Sequence, residues 1–243
     1  MSDPRMPLED LLRLAADDPA LKHVGPPELA RLISELEQPV SRPAALERWI
    51  DGMIERIIPA GASVLDLGCG TGELLSRLIE RKNVRGQGVE IDPHAVFRCV
   101  ERGVPVLQAD LDLGLSGFAD ASFDYVVLEE TLQTLHRPTA LLREVLRVGR
   151  RAVVSFPNFG YWRVRLSLAL GGRMPRTAGL PYHWYDTPNI HLFTLQDFLD
   201  WAADNGVRMT GGYVLADGCV RELREGDNLY AEEVLCIIQK NGG

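Results

Sequence analysis

The sequence predicts an α/β fold built on one mostly parallel sheet with helices on both faces, and three observations predict it. Val64-Leu65-Asp66-Leu67-Gly68-Cys69-Gly70-Thr71-Gly72-Glu73-Leu74-Leu75 passes from an apolar run, through three glycines, into an apolar-periodic segment. That order reads as strand, glycine turn, helix. Short apolar runs then alternate with helix-period segments up to residue 155, as parallel strands joined by crossover helices do. Two later strand-like runs, 209–215 and 233–239, flank the hydrophilic Arg221–Asn228 and predict an antiparallel hairpin at the sheet edge, giving seven strands in all.

Composition sets the outer bounds. A chain of 243 residues is one large domain, or one domain with an appendage. Its net charge of -8 argues against a general nucleic-acid binder. The balance is uneven: Arg143, Arg147, Arg150, Arg151, Arg163, Arg165, Arg173 and Arg176 share a stretch whose only acid is Glu144. That stretch is either a face for an acidic partner or a solvated surface. Cys69, Cys99, Cys219 and Cys236 are scattered without metal-ligand spacing, and Cys69 suits the need for a small residue in the glycine turn. No leader pattern and no apolar run of membrane-spanning length is present, so a reduced, cytoplasmic protein without membrane partners is expected.

Taken in order, residues 1–40 read as an N-terminal helical extension. Leu8, Leu11, Leu12 and Ala15, then Leu29, Leu32, Ile33 and Leu36, fall at helical spacing. The main domain, 41–243, opens with Ser41 as helix cap and Pro43 in the first turn. Leu46, Trp49, Ile50, Met53, Ile54, Ile57 and Ile58 then form a core-facing stripe. After the glycine turn the expected order is helix Glu73–Arg81, strand Arg85–Ile91, helix Pro93–Arg102 and strand Val104–Gln108. Strand Phe123–Leu128, helix Thr139–Val148 and strand Arg151–Ser155 follow. From Phe156 to His191 the alternation stops in a stretch dense in aromatics and histidines, with one helix expected at Tyr161–Leu170; it reads as a lid or a partner-binding insertion. A helix over Phe193–Asn205, capped by Thr194 with Asp197 three residues on, leads to the final strands.

The chemistry lies at strand ends. Glu90 ends the second strand about 20 residues past the glycines, where an acid accepts ribose hydroxyls. Asp110 ends the third, where a carboxylate accepts from an exocyclic adenine amine, and Asp124 opens the fourth. Glu73 stands where a dinucleotide fingerprint has its last glycine, which disfavours a nicotinamide enzyme, and no lysine follows the turn as in a Walker loop. An acidic crevice without a basic loop residue suits a cationic nucleoside ligand, S-adenosylmethionine.

Leu65–Gly72, Val89-Glu90-Ile91-Asp92, Gln108-Ala109-Asp110 and Phe123-Asp124-Tyr125-Val126-Val127 resemble the successive motifs of class I S-adenosylmethionine-dependent methyltransferases, a Rossmann-like fold. Glu129-Glu130-Thr131-Leu132-Gln133, Leu146–Gly160, Gly172-Arg173-Met174-Pro175 and Trp184–His191 closely resemble the MetW family of methionine biosynthesis proteins. The resemblance spans about residues 41 to 210. It implies cofactor contacts from Asp66, Gly68, Cys69, Gly70, Thr71, Gly72, Glu90, Ile91, Asp110 and Leu111. The chain departs from the usual family loop at Thr71, where an aspartate is customary, and residues 1–40 precede the usual family start.

Two functional classes stand open. The resemblance implies a partner that supports homoserine O-acyltransferase by complex formation; Phe156, Asn158, Trp184, Tyr185, Asn189 and His191 are the candidate residues of a partner or substrate surface. The alternative is an active methyltransferase on a small-molecule acceptor, for which His183, His191, Asp186 and Glu129 are the candidate bases. No metal is expected.

Overall fold

The computed structural model describes residues 44–172 and 174–241, so Ser41, Pro43 and the expected helical extension 1–40 lie outside the described residues. An eight-stranded sheet runs through the molecule in the order β3-β2-β1-β4-β5-β8-β6-β7. Strands β1 (Ser63–Leu67), β2 (Arg85–Glu90), β3 (Val106–Gln108), β4 (Phe123–Leu128) and β5 (Gly149–Pro157) are mutually parallel. Strands β6 (Val207–Ala216), β7 (Cys219–Glu222) and β8 (Ala231–Lys240) complete it in antiparallel fashion. Among the described residues, no helix is long and apolar enough to cross a membrane.

Two apolar cores flank the sheet because strand side chains alternate between its faces. One holds Trp49, Ile50, Met53 and Ile54 of α1 (Trp49–Ile57) with Leu74, Leu75 and Leu78 of α2 (Glu73–Lys82) and Cys99 of α3 (Pro93–Glu101). The other holds Leu141, Leu142, Val145 and Val148 of α4 (Pro138–Val148) with Leu195, Phe198 and Ala202 of α6 (Leu195–Asp204). Between these last two helices in sequence lies α5 (Trp162–Gly171). Trp49, Ile50, Met53, Ile54 and Ile58 of the expected stripe are buried and Leu46 and Ile57 partly so, but its helix breaks: Ala44–Leu46 is a single 3-10 turn, and Glu47 and Arg48 turn before α1 begins. The cap of α6 is a reciprocal box in which Thr194 and Asp197 each bond the other's backbone amide.

The C-terminal strands differ from the expected edge hairpin. β8 is inserted between β5 and β6, and the edge is an eighth strand, β7, whose last two residues lie in the hydrophilic stretch expected between the hairpin strands. Asp217 and Gly218 join β6 to β7 with φ of 50° and 70°, the two-residue turn that Asp-Gly favours. Charged residues such as Arg221 and Glu222 suit an unpaired edge, so their polarity concealed a strand.

Ala121 sits at φ 50° in an exposed turn before β4. An L-residue there is strained by about 1–2 kcal/mol, and glycine gives back about 0.5–1 kcal/mol in chain entropy. Ala121→Gly is therefore expected to raise stability slightly, by about 0.5–1 kcal/mol in urea unfolding. A loss of stability would contradict that assignment.

Candidate functional site

The glycine turn is held open by its neighbours. Gly68 has φ 75°, and a Cβ there would stand 2.5 Å from Thr131 Oγ1. The Gly68 and Cys69 amides both donate to Val89 O, at 2.8 and 3.2 Å, tying the turn to β2. The buried Glu90 carboxylate finishes the job. It accepts from Gly70 N at 2.9 Å on one oxygen, and from Ile91 N and Asp92 N at 2.8 and 2.9 Å on the other. Gly72, at φ 75°, caps α2 and backs onto Cys99, whose Sγ a Cβ would meet at 2.9 Å.

In front of the turn lies a cleft of about 550 Å³, lined by Asp66, Gly68, Cys69, Gly70 and Thr71 on the loop side. Glu47, Arg48, Ile50 and Asp51 line it ahead of and along α1, and Glu129, Glu130 and Gln133 line it beyond β4. Glu233 of β8 lines it too, and accepts a hydrogen bond from Trp49 Nε1 at 2.6 Å. Acids dominate this wall. Burial pushes the Asp66 carboxyl up to about 7, with the Asp51 and Glu90 carboxylates adding to the effect. Burial and the charges of Asp51, Asp66 and Glu130 push Glu129 up to about 9. Arg48 and Arg77 compensate Asp51, at 2.5 and 2.8 Å.

The stretch 178–189 covers the cleft through Ala178, Gly179, Pro181, Tyr182, Pro188 and Asn189. It is pinned at both ends. Gly179 N donates to Glu232 Oε1 at 2.9 Å, and Ile190 N and His191 N both donate to Gln133 O at 3.0 Å. Its outer side is apolar and unshielded, with Trp184 75% and Tyr185 67% exposed.

Several expected site residues fall elsewhere. Of the acids at the ends of β1 to β3, only Asp66 lines the cleft. Asp110 caps the 3-10 turn Leu111–Leu113 through Asp112 N at 2.9 Å, Leu111 is buried, and Ile91 is 60% exposed. Asp124 is occupied at the opposite end of β1, accepting from Ser63 N and Oγ at 2.9 and 2.8 Å, which holds its carboxyl below the usual range.

The other candidates divide as sharply. Phe156, read as a surface residue, is fully buried between Phe193 and Phe198. Asn158, read likewise, is buried and bonds four backbone groups: Asn228 O, Ala231 O, Gly160 N and Leu195 N. Neither presents a face to a partner; both ran on from a strand that is longer than its apolar pattern. His183 stacks on Tyr185 outside the cleft and faces Arg176, while Asp186 accepts from His183 N. His191 lies beside Leu132, Phe193 and Trp201 in a separate depression. Of the four base candidates, Glu129 alone lines the cleft.

Sequence reasoning missed Asp51, Glu233 and Gln133. Asp51 occupies the polar gap of an amphipathic helix and Glu233 the start of a strand, where nothing local marks them as site residues. Gln133 ends the Glu129–Gln133 motif, and that position was its only signal. Among the described residues, no His, Cys, Asp and Glu group is arranged to hold a metal ion.

The model of the family described as methionine biosynthesis protein MetW matches residues 50–238. A relative from Rhodopirellula baltica, described as bifunctional methionine biosynthesis protein MetXA/MetW, is 42% identical over 156 residues, 60% of this chain and 25% of its own. A ubiquinone biosynthesis O-methyltransferase from Xanthomonas axonopodis pv. citri is 34% identical over 113 residues, 42% of this chain and 46% of its own. The chain thus spans between a quarter and a half of these relatives. In fold it is similar to a SAM-dependent methyltransferase from Archaeoglobus fulgidus, with TM-score 0.58, 18% identity and coverage of 80% and 94%. It is equally similar to the [4+2]-cyclase SpnF, with TM-score 0.58, 18% identity and coverage of 82% and 83%. The fold therefore does not dictate the reaction.

Proposed function

The chain belongs to the MetW family of methionine biosynthesis proteins, and from that membership we propose an S-adenosylmethionine-binding protein that supports homoserine O-acyltransferase by forming a complex with it. The observation that carries the reading is the Rhodopirellula relative, in which the part similar to this chain makes up a quarter of a protein described as bifunctional, MetXA/MetW. Fusion in one chain is what two proteins that work in contact can tolerate. The Asp66–Thr71 turn, whose glycines and carboxyl face the cleft, supports the cofactor: an acidic, lysine-free loop favours a sulfonium and an ammonium over phosphates. Glu90 supports it less directly, because its carboxylate already anchors the loop.

The partner surface in this reading is the outer side of the cover. Trp184 and Tyr185 meet edge to face at 5.6 Å and stand in solvent, as aromatic anchors of an interface do before the partner arrives. Changing both to alanine is expected to weaken co-elution with the acyltransferase at least tenfold in apparent Kd while calorimetric S-adenosylmethionine binding is unchanged. Undiminished complex formation by the double variant would move the interface elsewhere. Failure of the unaltered chain to associate with the acyltransferase at all would end the partner reading.

A methyltransferase reading rests on a separate observation. The cleft continues from the loop past Glu129 to the cover, and aligning an acceptor with a methyl sulfonium supplies much of the acceleration without a dedicated base.

A further inference from the structure

Two of the four cysteines meet behind the glycine turn. Cys69 lies in the turn itself and Cys99 in α3; both are free thiols, and their Sγ atoms stand 3.9 Å apart. Glycine clears the space they share. A Cβ on Gly88 would stand 2.4 Å from Cys69 Sγ, and one on Gly72 2.9 Å from Cys99 Sγ. The pair has one open side: Cys69 is half-buried and lines the cleft, whereas Cys99 is fully buried.

The thiol hydrogens are in use. Cys99 Sγ donates to Gly70 O at 3.2 Å, and Cys69 Sγ lies 3.9 Å from the same oxygen. Gly70 N is held in turn by the Glu90 carboxylate at 2.9 Å. Gly70 is therefore gripped at its nitrogen by a carboxylate and at its oxygen by a thiol. The second half of that grip lasts only while the sulfur keeps its hydrogen.

We propose that Cys69 and Cys99 form a dithiol–disulfide switch on the glycine turn, set by exchange with a low-molecular-weight disulfide, RSSR, that reaches Cys69 through the cleft. The switch rests on the reading of the Asp66–Thr71 turn as the S-adenosylmethionine loop. In the first step the Cys69 sulfur loses its proton and attacks RSSR, forming a mixed disulfide and releasing RSH. In the second the Cys99 sulfur does the same at Cys69 Sγ and releases the second RSH. One S–S bond breaks and one forms; the two protein thiols are oxidised, RSSR is reduced, and both protons leave on the released thiols. Closing the sulfurs from 3.9 Å to about 2 Å draws Cys69 off its seat over Gly88 toward α3. It also removes the S–H donors from Gly70 O. A site keeps its affinity only while its parts hold their places to about 0.5 Å, so the linked turn binds S-adenosylmethionine less well. Burial, aided by Asp66 and Glu90, keeps both thiols protonated at neutral pH. Exchange is accordingly slow, and the pair answers a sustained thiol–disulfide balance in place of a brief burst of peroxide.

The test is calorimetric binding of S-adenosylhomocysteine to the full chain after equilibration with 2-mercaptoethanol or with 2-hydroxyethyl disulfide. Cys219→Ser is present throughout to remove the exposed thiol. The disulfide is expected to link Cys69 to Cys99, as read by peptide mapping, and to weaken binding about tenfold, with dithiothreitol restoring it. Reciprocally, saturating S-adenosylhomocysteine should raise the reduction potential of the pair by about 30 mV, the same tenfold converted. Cys99→Ala should bind equally after either treatment. If that variant melts early, reversal by dithiothreitol supplies the same comparison. A Cys69–Cys99 link that leaves binding unchanged would overturn the switch and leave the cofactor reading intact. So would the absence of that link at equilibrium, a lasting mixed disulfide on Cys69 included. No binding by the reduced chain would overturn both.

Discussion

Gly68→Ala is expected to remove about 2–5 kcal/mol of stability and to abolish the proposed S-adenosylmethionine binding. Two separable costs produce that figure. An L-residue at φ 75° is strained, by about 1–2 kcal/mol. The added Cβ would also stand 2.5 Å from Thr131 Oγ1, and Thr131 cannot swing away without breaking its bonds to Leu67 O at 3.1 Å and Glu129 O at 2.9 Å. Overpacking of this kind costs about 1–3 kcal/mol. Gly61 provides the control: its φ is 76°, yet nothing lies within 4 Å of a Cβ placed there. Urea unfolding should therefore show Gly61→Ala losing only the conformational part, with the Gly68→Ala/Thr131→Ala double variant returning toward the same level. If Gly68→Ala and Gly61→Ala lose equal amounts, the contact with Thr131 is not what keeps alanine out.

Asp66→Asn is expected to act in the opposite direction and to depend on pH. The Asp66 carboxyl is raised from 3.8 to about 7 by burial and the Asp51 and Glu90 charges. A group raised on folding favours the folded state fully below its unfolded value, and that contribution fades as pH climbs through the folded value. Between pH 4 and 7 the unfolded chain gives up this proton while the folded one keeps it, so stability declines across that window. Asparagine never ionises. The substitution should change little at pH 4 and stabilise by on the order of 4 kcal/mol at pH 8, at the expense of the proposed S-adenosylmethionine binding. Glu129 adds a decline in the same direction, extending toward pH 9. Asp124 and Glu144, held low by Ser63 and Arg147, work the other way: their contributions are present above the unfolded value and lost on acidification. Denaturant melts at pH 4, 6 and 8 decide the matter. A gain as large at pH 4 as at pH 8 would mean that asparagine improves packing and that the charge is irrelevant.

What the sequence made legible follows from how locally each feature is encoded. The parallel half of the sheet could be read because each strand is a short apolar run and each helix carries its own period. The box at Thr194 and Asp197 could be read because a cap is written within four residues. β7 could not, because in a four-residue edge strand only Val220 packs on the core and no apolar alternation develops, although Asp217-Gly218 did mark the turn. The loop side of the cleft was legible for the same local reason. The opposite wall was not. Asp51, Gln133 and Glu233 come from a helix, a 3-10 turn and an antiparallel strand, and no spacing rule links them. Phe156 and Asn158 were misplaced because an aromatic and an amide after a strand look alike whether they face solvent or tie two elements together.

The insertion of β8 between β5 and β6 has a consequence for when the protein becomes competent. The Trp49–Glu233 bond closes a span of 184 residues, and the cover's tether at Gly179 reaches to Glu232 on the same strand. Pairings of such long range are slow to form. The loop and Glu90 can take shape as soon as β1 and β2 meet, but the far wall lacks Glu233, and the cover its tether at Glu232, until β8 docks. Ligand capture is thus a clock for the closing step of folding. In a refolding experiment, recovery of binding should trail recovery of helical signal, and the lag should measure the time that one strand takes to slide home.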